Sequence, residues 1–314
     1  MVCVICGGEL TFWLHMPIDA KKNASTAHSE VFACRDCETA MIWPLPERDE
    51  IAGFYDLDKY YTQGQSHIAP VSENIFDKVL TRLAWWGDRP APFDVSAVVS
   101  DLPDGASMVD LGCGDGVLLR EFADHGVEAV GVDPDPVAQH AAAQRGVNVF
   151  IGTAESLPDE IEGRNFDLVT MTHSLEHVVD PARALENAYG LLKTGGQAYV
   201  EVPNAACVHF RTLNACSENF DSPRHLWFFT PKGLARSLEN AGFTISGFRY
   251  HGFTRHHARS WREWERTIFA RLKSRGMERG SQDHTFVRSL AILSRSYFSP
   301  FAQKYDCVGV VARK

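Results

Sequence analysis

The chain has 314 residues, a formal net charge of −9, a pI near 5.8 and 45% hydrophobic content. That length can build one large domain with smaller ones attached, and no apolar run reaches the roughly 18 residues a membrane-spanning helix needs. The acidic balance argues against a nucleic-acid partner, which calls for a broad basic surface.

At the N-terminus, Cys3-Val-Ile-Cys6 and Cys34-Arg-Asp-Cys37 stand 27 residues apart. Paired knuckles with this spacing can aim four sulfurs at one tetrahedral zinc ion, and with every position filled the metal is structural. Residues 1–45 are therefore expected to be a zinc-binding module. Cysteines where a secreted chain carries a basic and then apolar leader predict a cytoplasmic location, in which disulfides are disfavoured. The remaining Cys113, Cys207, Cys216 and Cys307 are scattered and read as small buried hydrophobes. Residues 46–104 mix turn formers with aromatics, including Phe54, Tyr55, Tyr60, Tyr61, Trp85 and Trp86, with a helical run from about Ser72 and a Pro90-Ala-Pro92 break. This stretch reads as a helical cover closing over a cleft.

Residues 105–252 and 301–314 are expected to form the main domain. Met108-Val-Asp-Leu-Gly-Cys-Gly-Asp-Gly116 reads as a buried strand entering a glycine turn, where the backbone comes close to a ligand above the strand ends. Asp110 and Asp115 flank those glycines and would repel a pyrophosphate, so the expected cofactor is a nucleotide with a positive charge. Val127–Asp133 alternates into a second strand ending on a carboxylate able to accept two ribose hydroxyls. A helix from Pro136 to Arg145 follows, then a third strand at 147–151, Gly152-Thr-Ala-Glu155, and a fourth strand at 166–171. That strand delivers Thr172-His-Ser-Leu-Glu-His177 to the sheet edge, where a helical turn would put His173, Glu176 and His177 on one face, able to position a base or bind a divalent ion. A fifth strand, 197–202, ends at Pro203-Asn204. Thr230 and Pro231 read as the N-cap and first residue of a helix after the polar, aromatic loop 214–230.

The order VDLGCGDG, GVDPDP, GTAESLP, FDLVTMTHSLEHV, LLKTGGQAYVEVPN resembles the class I S-adenosylmethionine-dependent methyltransferases over residues 105–250. The resemblance implies a Rossmann-like α/β fold with a seven-stranded mixed sheet. It further implies that Asp110, Gly112 and Gly114, with the backbone of Cys113, contact the methionine part of the cofactor, Asp133 and Pro134 the ribose, and Ala154 and Glu155 the adenine. Thr172 is expected at the cofactor, and Tyr60 or Tyr61 at its methionine end. Thr153 stands where many relatives carry an Asp. The run holding His173 carries a Glu at that position in the related ubiquinone-pathway O-methyltransferases, where a metal role belongs to it.

The loop above the sheet edge puts His225 beside the acceptor. Methyl transfer from a sulfonium is an in-line displacement, so the enzyme orients the acceptor and removes its proton. His225 is the expected base and His173 the second candidate, with Glu176 and His177 ordering the loop; Arg224 and Asn204 are expected at the substrate. The knuckles, aromatic stretch and His loop together are similar to sugar C-methyltransferases of natural-product pathways. Those place Tyr-x-Glu-His where this chain has Ser222-Pro-Arg-His225, and they continue into a further domain. Here a helical insertion stands instead, with ten Arg or Lys against four Asp or Glu in residues 253–300 and Trp261, Trp264, Ile268, Phe269 and Leu272 at helical spacing. It reads either as a lid whose arginines bind an anionic acceptor or as a packing face on the domain or on a twin subunit in a homodimer.

The expectation is a methyltransferase acting on a small polar metabolite, at a hydroxyl of a sugar, a nucleotide-linked sugar or a secondary-metabolite precursor. Sugar C-methylation, ribosomal RNA methylation and a noncatalytic cofactor-binding regulator are the alternatives.

Overall fold

The computed structural model describes residues 1–16, 18–55, 68–88, 94–277 and 279–314. Tyr60, Tyr61, Pro90 and Pro92 lie outside the described residues. The N-terminal part starts with the first knuckle, closed by Cys3 N–H donating to Gly8 O at 2.8 Å, and continues through β1 (Leu10–His15), β2 (Ile18–Asp19), β3 (Ala24–Ser25), β4 (Glu30–Cys34) and β5 (Ala40–Trp43). The second knuckle is the β4–β5 turn. β1, β4 and β5 pair antiparallel, and the fourth strand of that sheet is Trp227–Phe228, which pairs with Met41 and Ala40 of β5. The loop that sequence reading placed over the sheet edge is thereby stitched into the cysteine-bearing sheet, and the two share one apolar core.

Three helices lead into the main domain: α1 (Arg48–Phe54), α2 (Ile75–Gly87) and α3 (Val95–Ser100). Glu47 with Glu50, and Asn74 with Asp77, close capping boxes at the first two, satisfying N–H groups a helix start leaves free. The central sheet then builds outward from β6 (Ser107–Leu111), whose last four residues are buried. Strands covered on both faces by helices need such continuous apolar runs. Helix α4 (Val117–Asp124), β7 (Glu128–Asp133), α5 (Pro136–Gln144) and β8 (Asn148–Ile151) extend it one way, and β9 (Phe166–Thr172), α6 (Pro181–Gly190) and β10 (Leu192–Pro203) the other. After α7 (Val208–Leu213), β11 (Trp227–Phe228) and α8 (Pro231–Asn240) come the edge strand β12 (Thr244–His251), helices α9 (Arg259–Lys273), α10 (Phe286–Phe298) and α11 (Phe301–Lys304), and β13 (Cys307–Arg313). The order is β12-β13-β10-β9-β6-β7-β8, parallel except for β13, which runs antiparallel to both its neighbours. This is the seven-stranded mixed sheet that the sequence resemblance implies. The chain reverses its direction of growth between β6 and β9, which opens a crevice at their carboxyl ends.

Thr230 caps α8 by accepting Gly233 N–H at 3.1 Å, with Pro231 at the first turn as the sequence implied. The fifth strand is longer than expected, starting at Leu192 instead of Gln197. The basic insertion is two helices whose arginines are largely engaged inside the chain. Arg262 is buried against Asp77 of α2, Arg255 bonds Asp306 at 2.9 Å, Arg266 bonds Asp283 at 3.2 Å, and Arg271 and Arg275 reach Ala20 and Asn23. Among the described residues no helix is long and apolar enough to cross a membrane.

Candidate active site

The turn after β6 sits over the crevice. Gly112, Gly114 and Gly116 all have positive φ, at 86°, 51° and 74°. At Gly112 a side chain would also overlap Ser174 Cβ, so only glycine permits this close approach. Gly112 N–H donates to Val132 O at 2.7 Å, which ties the turn to β7. Asp133, at the end of β7, accepts Gly114 N–H at 2.8 Å and Asp135 N–H at 2.9 Å and is 5% exposed. Burial raises its pKa while those two N–H groups oppose the rise. Its neighbour Pro134 is exposed. A glycine turn at the carboxyl ends of the strands with a carboxylate at the end of the next strand fits a nucleoside cofactor.

Asp110 lies beneath the turn, 1% exposed, accepting the Thr170 hydroxyl at 2.7 Å, and burial pushes its carboxyl up to about 7. Asp115 is paired with Arg145 at 2.6 Å. The two acids that flank the glycines are therefore one buried carboxyl and one ion-paired with Arg145. Cys113 turns its sulfur inward against Gly131, where burial pushes the thiol up and keeps it protonated. Ala154 offers its carbonyl to Asn187 Nδ2 at 2.8 Å, and Glu155 accepts Asp180 N–H at 2.8 Å with Arg48 at 3.6 Å. Thr172 is half-buried at the carboxyl end of β9. Tyr61 lies outside the described residues.

Beside the cradle, β9 is followed by His173, whose φ of 53° turns the chain before a single 3₁₀ turn, Leu175–His177. His173 therefore stands outside the turn, and the expected shared helical face does not form. The structure divides the two histidines between two groups that meet at Glu176: His173 with Glu201 and Cys307, and His177 with Glu176 and His225. His173 Nδ1 is 3.5 Å from Glu176 and its Nε2 3.4 Å from Glu201. Desolvation lowers its pKa, but Cys307 and the two carboxylates outweigh this and raise it well above its usual value. Glu176 is 1% exposed, and neither of its oxygens accepts a hydrogen bond. Desolvation opposes its charge, while His173 and His177 keep its pKa low.

His225 donates Nδ1–H to Asn219 O at 2.8 Å, since a carbonyl can only accept, which leaves Nε2 as the lone-pair nitrogen. Its ring meets that of His177 edge-on at 4.8 Å, and burial, then the His177 charge, lowers its pKa to about 4. His177 Nδ1 lies 2.9 Å from both the Tyr55 hydroxyl and the Arg224 carbonyl.

Two expected substrate contacts are structural. The Arg224 guanidinium has no exposed side-chain surface and is filled by Asp19 at 2.7 Å, Asp221 at 2.8 Å and Phe54 O at 3.0 Å, which lock the loop to β2 and α1. Asn204, 1% exposed, donates to Ala302 O and Tyr305 O, both at 2.8 Å, and accepts Ala206 N–H. Sequence reading missed Glu201, His251 and Tyr55. Glu201 accepts from Tyr199 and lies 3.1 Å from His251. A carboxylate inside the apolar run Ala198–Val202 was the available signal, because charge in a buried strand needs a partner.

The four N-terminal thiols converge, with Cys3 and Cys37 sulfurs 3.6 Å apart and Cys6 and Cys34 sulfurs 3.4 Å apart. Tetrahedral zinc with sulfur at about 2.3 Å sets sulfurs about 3.8 Å apart, so the donor set fits. The other four cysteines are buried, and burial pushes Cys207 and Cys216 up to about 12 and Cys307 to about 11.

A family profile described as a methyltransferase domain matches residues 84–246. Among curated proteins, the ubiquinone biosynthesis O-methyltransferase of Pseudomonas fluorescens strain Pf-5 is 29% identical over 203 residues, covering 55% of this chain and 84% of that protein. The one from Methylobacterium sp. strain 4-46 is 33% identical over 165 residues, covering 47% of this chain and 64% of that protein. Among solved structures, a possible histamine N-methyltransferase of Thermotoga maritima superposes with a TM-score of 0.44 at 22% identity, covering 75% of this chain and 91% of that one.

Proposed function

The chain belongs to the methyltransferase-domain family and is an S-adenosylmethionine-dependent methyltransferase, and on that premise we propose that it methylates a hydroxyl of a small polar metabolite, with His225 as general base. The observation that carries this reading is the His225 tautomer. Asn219 O holds the Nδ1 proton, which leaves Nε2 as the unprotonated nitrogen of a ring grouped with Glu176 and His177. A neutral imidazole in that state can take a hydroxyl proton at Nε2. Glu176, buried and accepting no hydrogen bond, sits where it would stabilise the imidazolium so formed. His173 is better suited to orienting Glu176 and Glu201 than to accepting a proton, because both carboxylates favour its charged form.

Bound S-adenosylmethionine supplies an electrophilic methyl group. In this reading Gly112 and Gly114 receive its amino-acid end, Asp133 its ribose and Glu155 with Ala154 its adenine. The curated relatives named as O-methyltransferases support oxygen as the acceptor atom. Zinc at Cys3, Cys6, Cys34 and Cys37 would fix the N-terminal sheet without touching the reaction, and a cytoplasmic setting would keep those thiols reduced.

A panel of phenolic and sugar hydroxyl acceptors, assayed with labelled S-adenosylmethionine, tests the proposal. Methyl ethers are the expected products. Label found only on carbon or nitrogen across the panel would refute hydroxyl transfer.

A further inference from the structure

A second cluster of metal-ligating side chains is distinct from the groups at the crevice and plays no part in the reading above. It joins His209 on α7, Glu265 on α9 and His284 in the turn before α10, which are 3%, 0% and 0% exposed. We infer that His209, Glu265 and His284 form a second metal site, suited to a divalent first-row cation such as zinc, that fastens the helical insertion onto the segment following β10.

The ligand atoms support this directly. Glu265 Oε2 is 3.1 Å from His209 Nε2 and 2.5 Å from His284 Nδ1, and all three atoms lie within 4.8 Å of one another. Nitrogen and oxygen ligands about 2.0–2.1 Å from tetrahedral zinc stand about 3.3 Å apart, so small adjustments would seat an ion. The other carboxylate oxygen, Oε1, is held by Glu218 N–H at 3.0 Å and the Trp261 indole N–H at 3.1 Å. Such outer donors are what orient a ligating carboxylate in metal sites.

His256 stacks on His209 at 3.6 Å and packs the cluster from one side, while His209 Nδ1 and His284 Nε2, the ring nitrogens not bonded to Glu265, are buried.

The test is a cobalt titration of the full-length, metal-stripped protein. The wild type should take two equivalents, one giving thiolate charge-transfer absorption from the four cysteines and one giving only the weak bands of nitrogen and oxygen ligands. Glu265→Gln and His284→Asn, checked by circular dichroism, should keep the thiolate equivalent and bind the other about 10–100-fold more weakly. Glu176→Gln, in the crevice cluster, should keep both. One equivalent in the wild type, thiolate absorption from the second, or a second equivalent that survives in folded Glu265→Gln would overturn the assignment. If the variants in the cluster do not fold, Glu176→Gln decides: retention of the second equivalent upholds the site, and its loss assigns that metal to the crevice.

Discussion

Asp133→Asn is the sharpest perturbation of the cofactor cradle, because it keeps the side chain's shape and removes its charge. The wild-type carboxylate accepts Gly114 N–H at 2.8 Å and Asp135 N–H at 2.9 Å from a position only 5% exposed. An amide can accept one of these and must turn its NH2 toward the other donor. Loss of one hydrogen bond to a charged group costs about 1.5–3 kcal/mol. In a domain of this size that lowers the melting temperature by about 3–12 °C. If the same carboxylate also receives the ribose hydroxyls, affinity for S-adenosylhomocysteine should fall by about 10- to 150-fold. Calorimetric titration and thermal unfolding, run on the same preparation, separate the two roles. A lowered melting temperature with unchanged affinity would mean that Asp133 only ties the glycine turn to β7, and the ribose assignment would be wrong.

His225→Gln should reduce kcat by about 10²–10⁴-fold while leaving cofactor affinity intact, and undiminished turnover would remove His225 as the base. Its pKa of about 4 places the acid limb of kcat/KM near that value and not near 6.5. The sign for stability follows: the folded pKa is below the unfolded one, so the unfolded chain binds the extra proton as pH falls from about 6.5 to 4. Stability contributed by His225 is lost across that window, and thermal melts of wild type and His225→Gln should converge there. Arg224→Ala should cost about 3–5 kcal/mol, since Asp19 would lose its buried bidentate partner while Asp221 keeps only Lys21 of its two cations; a raised KM with an unchanged melting temperature would return Arg224 to the substrate. Chelation should loosen more than the first 40 or so residues, because β11 pairs with β5 and Arg224 bonds Asp19. Hydrogen exchange that increases in the knuckles but not in residues 214–230 would contradict that coupling.

The residues whose placement was legible in the sequence are those fixed by the backbone. Gly112 is identifiable because a strand must turn there with positive φ, and Asp133 because a strand end on the sheet edge sets its direction. The cysteine knuckles are legible for the same reason, since two residues between thiols suffice to aim both at one point. Side chains on the loop 214–230 obey no such rule. Arg224 and His225 are adjacent, yet one is sealed into a bidentate pair with Asp19 while the other borders the crevice, and the difference is set by β2, 205 residues away in the chain. The insertion repeats the lesson on a larger scale. Its excess of arginines suggested an anion-binding lid, but Asp77 and Asp306 from two other segments meet Arg262 and Arg255, and Asp283 within the insertion itself meets Arg266. The same folding brings His209, Glu265 and His284 together across 75 residues of sequence. Local composition therefore reports which charges a segment carries, and only the long-range packing determines whether those charges face a ligand or one another.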